Sequence, residues 1–375
     1  MSEIQIPKAE NFHIEFKSEK VSSKNLAREI AAFANAEGGE IWLGVDDNRE
    51  ISGLSRSYEE DIMNICRTGV IPPIQPVYEP IKIDDKEIAR IIIQKGVDRP
   101  YYTSDHYYYI RVGSTKRIAS RQELIRLFQA SGLFHYDLIE LDYADKNELN
   151  YSDIAGYFSR YQISFSSETK EEKDRLLIAS NILGKNNRPT LGGLLIFGVS
   201  PETRLPQSGV AFAHFVGNEI GSELIDKKTI GGNLQNQVNN TLAAIKANLK
   251  TASWIEGAKR IEKPFYPEKV FRELVVNACV HRNYSITGSQ IRIFLFQDRI
   301  EFISPGRLPN TITVENIKVG ASFSRNPFLV RLMENLGYMD QLGRGLPMVF
   351  QEAGKLKKNV DFLDSGEEFR VILEL

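Results

Sequence analysis

At 375 residues the chain is long enough for two or three domains, each with its own core, and 26% charged with 42% hydrophobic residues is the balance of an ordinary globular protein. A formal charge of −2 argues neither for nor against nucleic acid, because a basic face fits within a neutral total. No apolar run approaches membrane-spanning length, no secretory signal opens the chain, and the two cysteines, Cys66 and Cys279, lack metal-site spacing, so a cytoplasmic protein without membrane partners is expected.

Phe12, Ile14 and Phe16 alternate with His13, Glu15 and Lys17, which predicts a strand with one apolar and one polar face. Ser22 or Ser23 caps a helix carrying Leu26, Ile30, Phe33 and Ala34; Gly38-Gly39 ends it, and Ile41 to Val45 forms a second strand before the turn Asp46-Asp47-Asn48. A helix is expected from about Tyr58 to Arg67, a hairpin from Val77 to Ile83 and Glu87 to Gln94, a strand from Tyr107 to Val112, and a helix from Ser120 to Ala130. Arg111, Lys116, Arg117, Arg121 and Arg126 fall close together, preceded by Tyr101, Tyr102 and Tyr107 to Tyr109. Cations for phosphates beside rings for bases suit a single-stranded nucleic acid. The alternative is tyrosines packed in strands and arginines on a solvated helix face.

Residues 136–174 are acidic and irregular and read as a connector with one or two short helices. A helix from Asp174 to Leu183, strands over Leu194 to Gly198 and Gln207 to Phe215, and an amphipathic helix from Val238 to Leu249 follow. Phe271 to Arg282 reads as a helix on which Glu273, Asn277 and His281 recur at i, i+4 and i+8 and share a face. Apolar residues from Val270 to Val280 cover most of the remaining circumference, so this polar stripe faces a pocket. Mg²⁺ with a nucleotide phosphate would satisfy it: Asn offers a neutral oxygen to a hard cation, and Glu orients or deprotonates a water. A structural hydrogen-bond network is the alternative. Gln290 to Phe296 and Ile300 to Ser304 read as a hairpin, followed by Ser304-Pro305-Gly306-Arg307-Leu308-Pro309 and, much later, Leu342-Gly343-Arg344-Gly345-Leu346-Pro347 opening an apolar run. Glycines there let backbone N–H groups approach phosphates at a helix N-terminus.

Glu15-Phe16-Lys17, the stretch AFANAEGGEIWLGVDD at residues 32–47 and YYIRVGSTKRIASRQEL at residues 108–124 resemble the Schlafen AlbA-like domain, over roughly residues 4–133. Schlafen proteins include metal-dependent ribonucleases with two Glu five apart and an Asp. The resemblance therefore implies a divalent-metal triad of Glu10, Glu15 and Asp46 that activates a water. As residues, Glu15 and Lys17 equally suit a surface ion pair, and Asp46 a turn. Nucleic-acid contacts are expected from Lys17, Tyr108, Arg111, Lys116, Arg117 and Arg121.

The order of E-x-x-x-N helix, strand pair, glycine turn, long segment and G-x-G before a helix resembles the GHKL-type ATP-binding fold, in the divergent branch found in bacterial proteins labelled RecG-related or transcriptional regulators. That resemblance implies Glu273 as the water-orienting base, Asn277 as the Mg²⁺ ligand, and Gly306, Gly343 and Gly345 at the nucleotide. It places Ser322, Ser324, Arg325 and Asn326 in the lid segment and assigns His281 and Arg282 no role. Ser304-Pro305-Gly306 stands where the adenine-reading Asp motif would be. No P-loop occurs, so the helicase label carries little weight.

The expected fold class is α+β: an N-terminal Schlafen AlbA-like domain (1–135), an acidic helical connector (136–190) and a C-terminal divergent GHKL (Bergerat-type) α/β sandwich (191–375). The expected function is a homo-oligomeric, nucleic-acid-binding (RNA or DNA) regulator or defence protein controlled by ATP and Mg²⁺. The alternatives are a nucleotide-gated, metal-dependent nuclease and a catalytically inactive assembly scaffold.

Overall fold

The alternation near the N-terminus becomes β1 (Ile14–Lys17), which buries Phe16 on one face of a sheet and turns Glu15 and Lys17 to the other. The computed structural model describes residues 6–249, 253–256, 259–262, 266–308, 314–318, 320, 324–339, 344–365 and 367–375. They divide into two compact units, residues 1–134 and 135–375.

In the first unit, α1 (Ser23–Asn35) starts where Ser22 Oγ accepts from the Asn25 N–H and crosses over to β2 (Gly39–Leu43), which runs parallel to β1. α2 (Glu59–Asn64) passes into a π-helical turn, and β3 (Val70–Ile71) precedes the hairpin of β4 (Val77–Ile83) and β5 (Lys86–Ile93). β6 (Tyr102–Thr103) pairs with β3, β7 (Tyr109–Val112) pairs with β8 (Thr115–Ile118), and α3 (Arg121–Ala130) begins with a capping box of Ser120 and Glu123. The main sheet has the order β1-β2-β5-β4. Leu26, Ile30 and Phe33 of α1 pack with Ile41, Leu43, Ile91 and Ile93 on one of its faces.

In the second unit come α4 (Tyr151–Ser159), α5 (Lys170–Ala179), α6 (Leu191–Phe197), β9 (Val210–Phe215), β10 (Leu224–Ile230) and α7 (Leu234–Asn248). β11 (Ser253–Glu256) and β12 (Lys259–Glu262) form a separate pair before α8 (Glu268–Val280), β13 (Ile291–Leu295) and β14 (Arg299–Pro305). α9 (Val314–Lys318), α10 (Pro327–Asn335), α11 (Gly345–Lys355), β15 (Val360–Ser365) and β16 (Glu368–Glu374) complete it. The six-stranded sheet has the order β10-β9-β13-β14-β16-β15, antiparallel except for β9 against β13. Phe212, Ile293 and Phe302 pack with α8 residues Val275, Val276 and Cys279 in one continuous core.

Two expectations are corrected. Residues 136–190 are not a connector: Leu141, Leu149, Ile154, Phe158, Phe165, Leu177 and Ile182 belong to the core of the second unit. Their acidic neighbours occupy caps and exposed sides, as Asp145 does at the N–H of Asn147, so the charge count hid the apolar positions. Leu194 to Phe197 is helix rather than strand, with Gly198 as its cap, because Thr190 Oγ1 accepts from the Gly193 N–H and starts α6 at Leu191, three residues earlier. A short, wholly apolar run has no periodicity to separate the two.

Candidate functional site

Beyond its first turn, where Glu268 and Lys269 are exposed, α8 is apolar around its circumference except at Arg272, Glu273 and Asn277, and the last two are half-buried. One turn apart, they meet: Asn277 Nδ2 donates to Glu273 Oε1 at 2.8 Å. This bond sets the amide orientation and leaves the Asn277 carbonyl oxygen as the acceptor for anything beyond the helix. Gly345, the first residue of α11, lies against the same carboxylate, so that a Cβ there would fall 1.7 Å from Glu273 Oε1. An acid, a neutral oxygen and a helix N-terminus approached through glycine thus converge, a set that matches the donors a Mg²⁺–nucleotide requires.

A second cluster closes the C-terminal end of α8. Asn326 Nδ2 donates to the Val280 and Arg282 carbonyls at 2.8 Å each, and the Arg325 guanidinium donates to the His281 carbonyl at 3.3 Å and to that of Arg307. Ser304 Oγ donates to the Ala278 carbonyl at 2.9 Å. Gly306 has φ +114°, and a Cβ on it would fall 2.3 Å from Arg325 Nη1, so the turn admits glycine alone. Arg282 is fully buried and donates to the carbonyls of Asn283, Ile286 and Ser289. Burial and the nearby Arg325 charge push the His281 imidazole down to about 4, so it is neutral at physiological pH.

The structure therefore brings Glu273, Asn277 and Gly345 together, and separately Gly306, Arg325 and Asn326. Arg325 and Asn326, expected as lid groups, are turned inward, 5% and 0% exposed, because they satisfy helix-end carbonyls. Ser324 Oγ is buried with no hydrogen-bond partner among the described residues. Ser322 and Gly343 lie outside the described residues.

In the first unit the expected triad does not assemble. Glu15 meets Lys17 Nζ at 2.5 Å and Arg111 Nη1 at 2.6 Å, and Glu10 accepts from the Phe16 N–H at 2.9 Å. The third acid is Glu29 of α1, paired with Arg111 at 3.2 Å and Lys116 at 2.5 Å. Asp46 instead accepts from Ser52 Oγ in its own turn at 3.2 Å. Among the described residues no group of three His, Cys, Asp or Glu side chains is placed to hold a metal. Burial opposes ionisation of Glu15, but hydrogen bonds from Lys17 and Arg111 keep its carboxyl below the usual value; burial raises that of Glu29. Sequence reasoning missed Glu29, although Leu26, Glu29, Ile30 and Phe33 share one helical face, which puts a charge on the apolar stripe.

The expected nucleic-acid residues divide accordingly. The Arg111 side chain is fully buried and Lys17 half-buried, both committed to carboxylates, and Lys116 is held by Glu29. Arg117 is half-exposed and bidentate to Glu123 at 2.9 and 2.7 Å, while Arg121 is exposed. Tyr108 lies between Tyr102 and Phe128, at 5.4 and 6.2 Å between ring centroids, and Tyr107 is 49% exposed.

Residues 10–120 match the family model described as "Schlafen, AlbA_2", and residues 288–373 match that described as "Putative ATP-dependent DNA helicase recG C-terminal", a HATPase model. The chain joins a Schlafen AlbA_2 domain to a RecG-related HATPase domain. Gly306, Arg325, Asn326 and Gly345 fall within the HATPase match, and α8 immediately precedes it. This AlbA_2–HATPase chain is similar to the DIP2311 protein of Corynebacterium diphtheriae, at 19% identity over 96% of this chain and 75% of that one, with a TM-score of 0.50, a likeness of fold. It also matches the N-terminal domain of a "putative ATP-dependent DNA helicase RecG-related protein" from Nitrosomonas europaea, at 22% identity over 29% of this chain and 81% of that one, with a TM-score of 0.23. No curated protein sequence matches the chain. The domain pair is of a nucleic-acid-related, ATPase-like kind. No described helix is long and apolar enough to cross a membrane.

Proposed function

We propose that this protein is a nucleic-acid-binding regulator whose HATPase domain binds ATP with Mg²⁺ and so controls the AlbA_2 domain. The observation that carries this reading is the Glu273–Asn277 pair, held at 2.8 Å and fronted by Gly345 at the start of α11. Mg²⁺, when bound, neutralises phosphate charge and orients the terminal phosphate. Asn277 would offer the cation its amide oxygen, Glu273 would hold and orient a water beside it, and the first N–H groups of α11 would serve the phosphates. On the AlbA_2 domain, Arg117, Arg121 and Tyr107 offer exposed cations and a ring to a single strand, and Tyr108 is half-buried between Tyr102 and Phe128. The nuclease alternative finds less support, since Glu15 already has two cationic partners and Asp46 is bonded to Ser52 of its own turn.

Calorimetric titration of ATP and ADP with Mg²⁺ into the full chain tests the reading. Wild type is expected to bind, and Asn277→Ala to weaken binding by about tenfold or more, on the order of one lost metal ligand. Absence of binding to the wild type overturns it. Adding ATP–Mg²⁺ to the protein with labelled single-stranded RNA or DNA then tests control: the affinity should shift and the shift should vanish in Asn277→Ala.

A further inference from the structure

Asn326 occupies the N-cap position of α10, and asparagine is among the strongest residues at such a position, yet its side chain does not cap the helix. Its amide is turned away to the Val280 and Arg282 carbonyls. The cap comes from elsewhere in the chain. Asp137, on a single 3₁₀ turn at Tyr136–Leu138, is fully buried, and its Oδ2 accepts from the N–H groups of Phe328 at 2.8 Å and Leu329 at 3.1 Å. These are the first donors of α10, since Pro327 has none. Gly192 of α6 seats this arrangement: a Cβ on it would fall 2.5 Å from the Phe328 ring and 3.0 Å from the Asp137 carbonyl. Among the described residues nothing donates to the buried Asn326 Oδ1, so it is the acceptor at hand if Asp137 were removed. To reach the α10 N–H groups Asn326 must rotate, and rotation takes its amide off the end of α8.

We propose that Asp137 is a positioning residue for α8: by capping α10 in place of Asn326, it keeps the Asn326 amide on the Val280 and Arg282 carbonyls and fixes the helix that carries Glu273 and Asn277. The consequence for ligand binding rests on the reading of α8 as the nucleotide helix; the linkage itself does not. Asp137 lies three residues beyond the end of the first unit, and its bonds to Phe328 and Leu329 lie within the second.

Amide hydrogen exchange, read by NMR on the full chain, tests the linkage at the N–H groups of His281 and Asn283, which bond to the Asn277 and Pro305 carbonyls. Asp137→Ala is expected to accelerate both by about tenfold or more, as a locally opened helix end does. Asp137→Asn, whose amide oxygen still accepts from α10, is expected to restore most of the protection, which a general loss of stability would not produce. Asn326→Ala breaks the link from the other side: His281 and Asn283 accelerate while Phe328 and Leu329 stay protected by Asp137. Unchanged exchange at His281 and Asn283 in a folded Asp137→Ala, or in Asn326→Ala should Asp137→Ala not fold, overturns the proposal. In parallel, ATP–Mg²⁺ titration of Asp137→Ala should show affinity reduced by about tenfold. A wild type that binds no ATP removes the nucleotide reading and leaves the exchange result to decide the linkage.

Discussion

Gly345→Ala separates the site from the stability of the fold. The backbone at Gly345 is not left-handed, so its conformation suits alanine, which in a helix gains at most about 1 kcal/mol over glycine. Its Cβ, however, falls 1.7 Å from Glu273 Oε1 and 2.1 Å from Cδ, inside the 3.0 Å that real contacts respect. The Glu273 carboxylate is the flexible end of its side chain and swings away, breaking the bond from Asn277, which costs roughly 0.5–1.5 kcal/mol. The two effects offset, so the urea midpoint should move by less than the equivalent of about 1 kcal/mol. ATP–Mg²⁺ affinity should fall by about tenfold or more, because acid and amide no longer face α11 together, a loss of at least about 1.4 kcal/mol in binding. In a Glu273→Ala background the clash disappears, and Gly345→Ala should be neutral or stabilising, so a double-mutant cycle by calorimetry and denaturation reports the coupling. Unchanged ATP affinity in Gly345→Ala at unchanged stability would refute the convergence of Glu273 and α11 on one ligand.

Gly306→Ala should destabilise the HATPase domain by about 2 kcal/mol or more, since it combines a strained φ with a clash against the buried Arg325; denaturant unfolding reads it. Glu29→Ala leaves Arg111 without its second acid and Lys116 without its acidic partner, and should cost the AlbA_2 domain about 3–5 kcal/mol, seen as an earlier thermal transition. The folded-state pKa of His281 lies below its unfolded value, so the unfolded chain binds the extra proton and stability falls as pH drops from about 6.5 toward about 4. His281→Gln should flatten that part of the stability profile, and an equal slope in both proteins would contradict the burial argument. Arg121→Ala should lower the salt dependence of single-strand binding by roughly one phosphate contact, a log–log slope change of about 0.7, with no change in melting temperature.

The α8 stripe was legible because a 3.6-residue period carries both the apolar cover and the i, i+4 pair, and the pairing of β13 with β14 because its turn is short and polar. What escaped reading depends on distant partners. Arg111 and Lys17 look like surface cations until Glu29, which lies between Leu26 and Phe33 in sequence, is folded against them. Arg325 and Asn326 look like lid groups because nothing local announces that the carbonyls of Val280, His281 and Arg282 need donors. Residues 136–190 look like a linker because short helices with polar caps dilute the apolar signal over many turns. Each miss is a buried polar or apolar demand set by tertiary structure, which overrides a local pattern.

The bond from Asp137 to α10 also sets an order of events on the ribosome. Its two donors, Phe328 and Leu329, lie 191 and 192 residues further along the chain. At a synthesis rate of about 5–20 residues per second, that separation is roughly 10–40 s of translation. The AlbA_2 core, drawn from residues 26–101, emerges whole well before then. Throughout that interval the Asp137 carboxylate is still in water and the apolar face of α6 lacks α10. The later unit is therefore the one that a paused ribosome or a premature stop leaves exposed to aggregation and proteolysis, while the earlier unit is already closed.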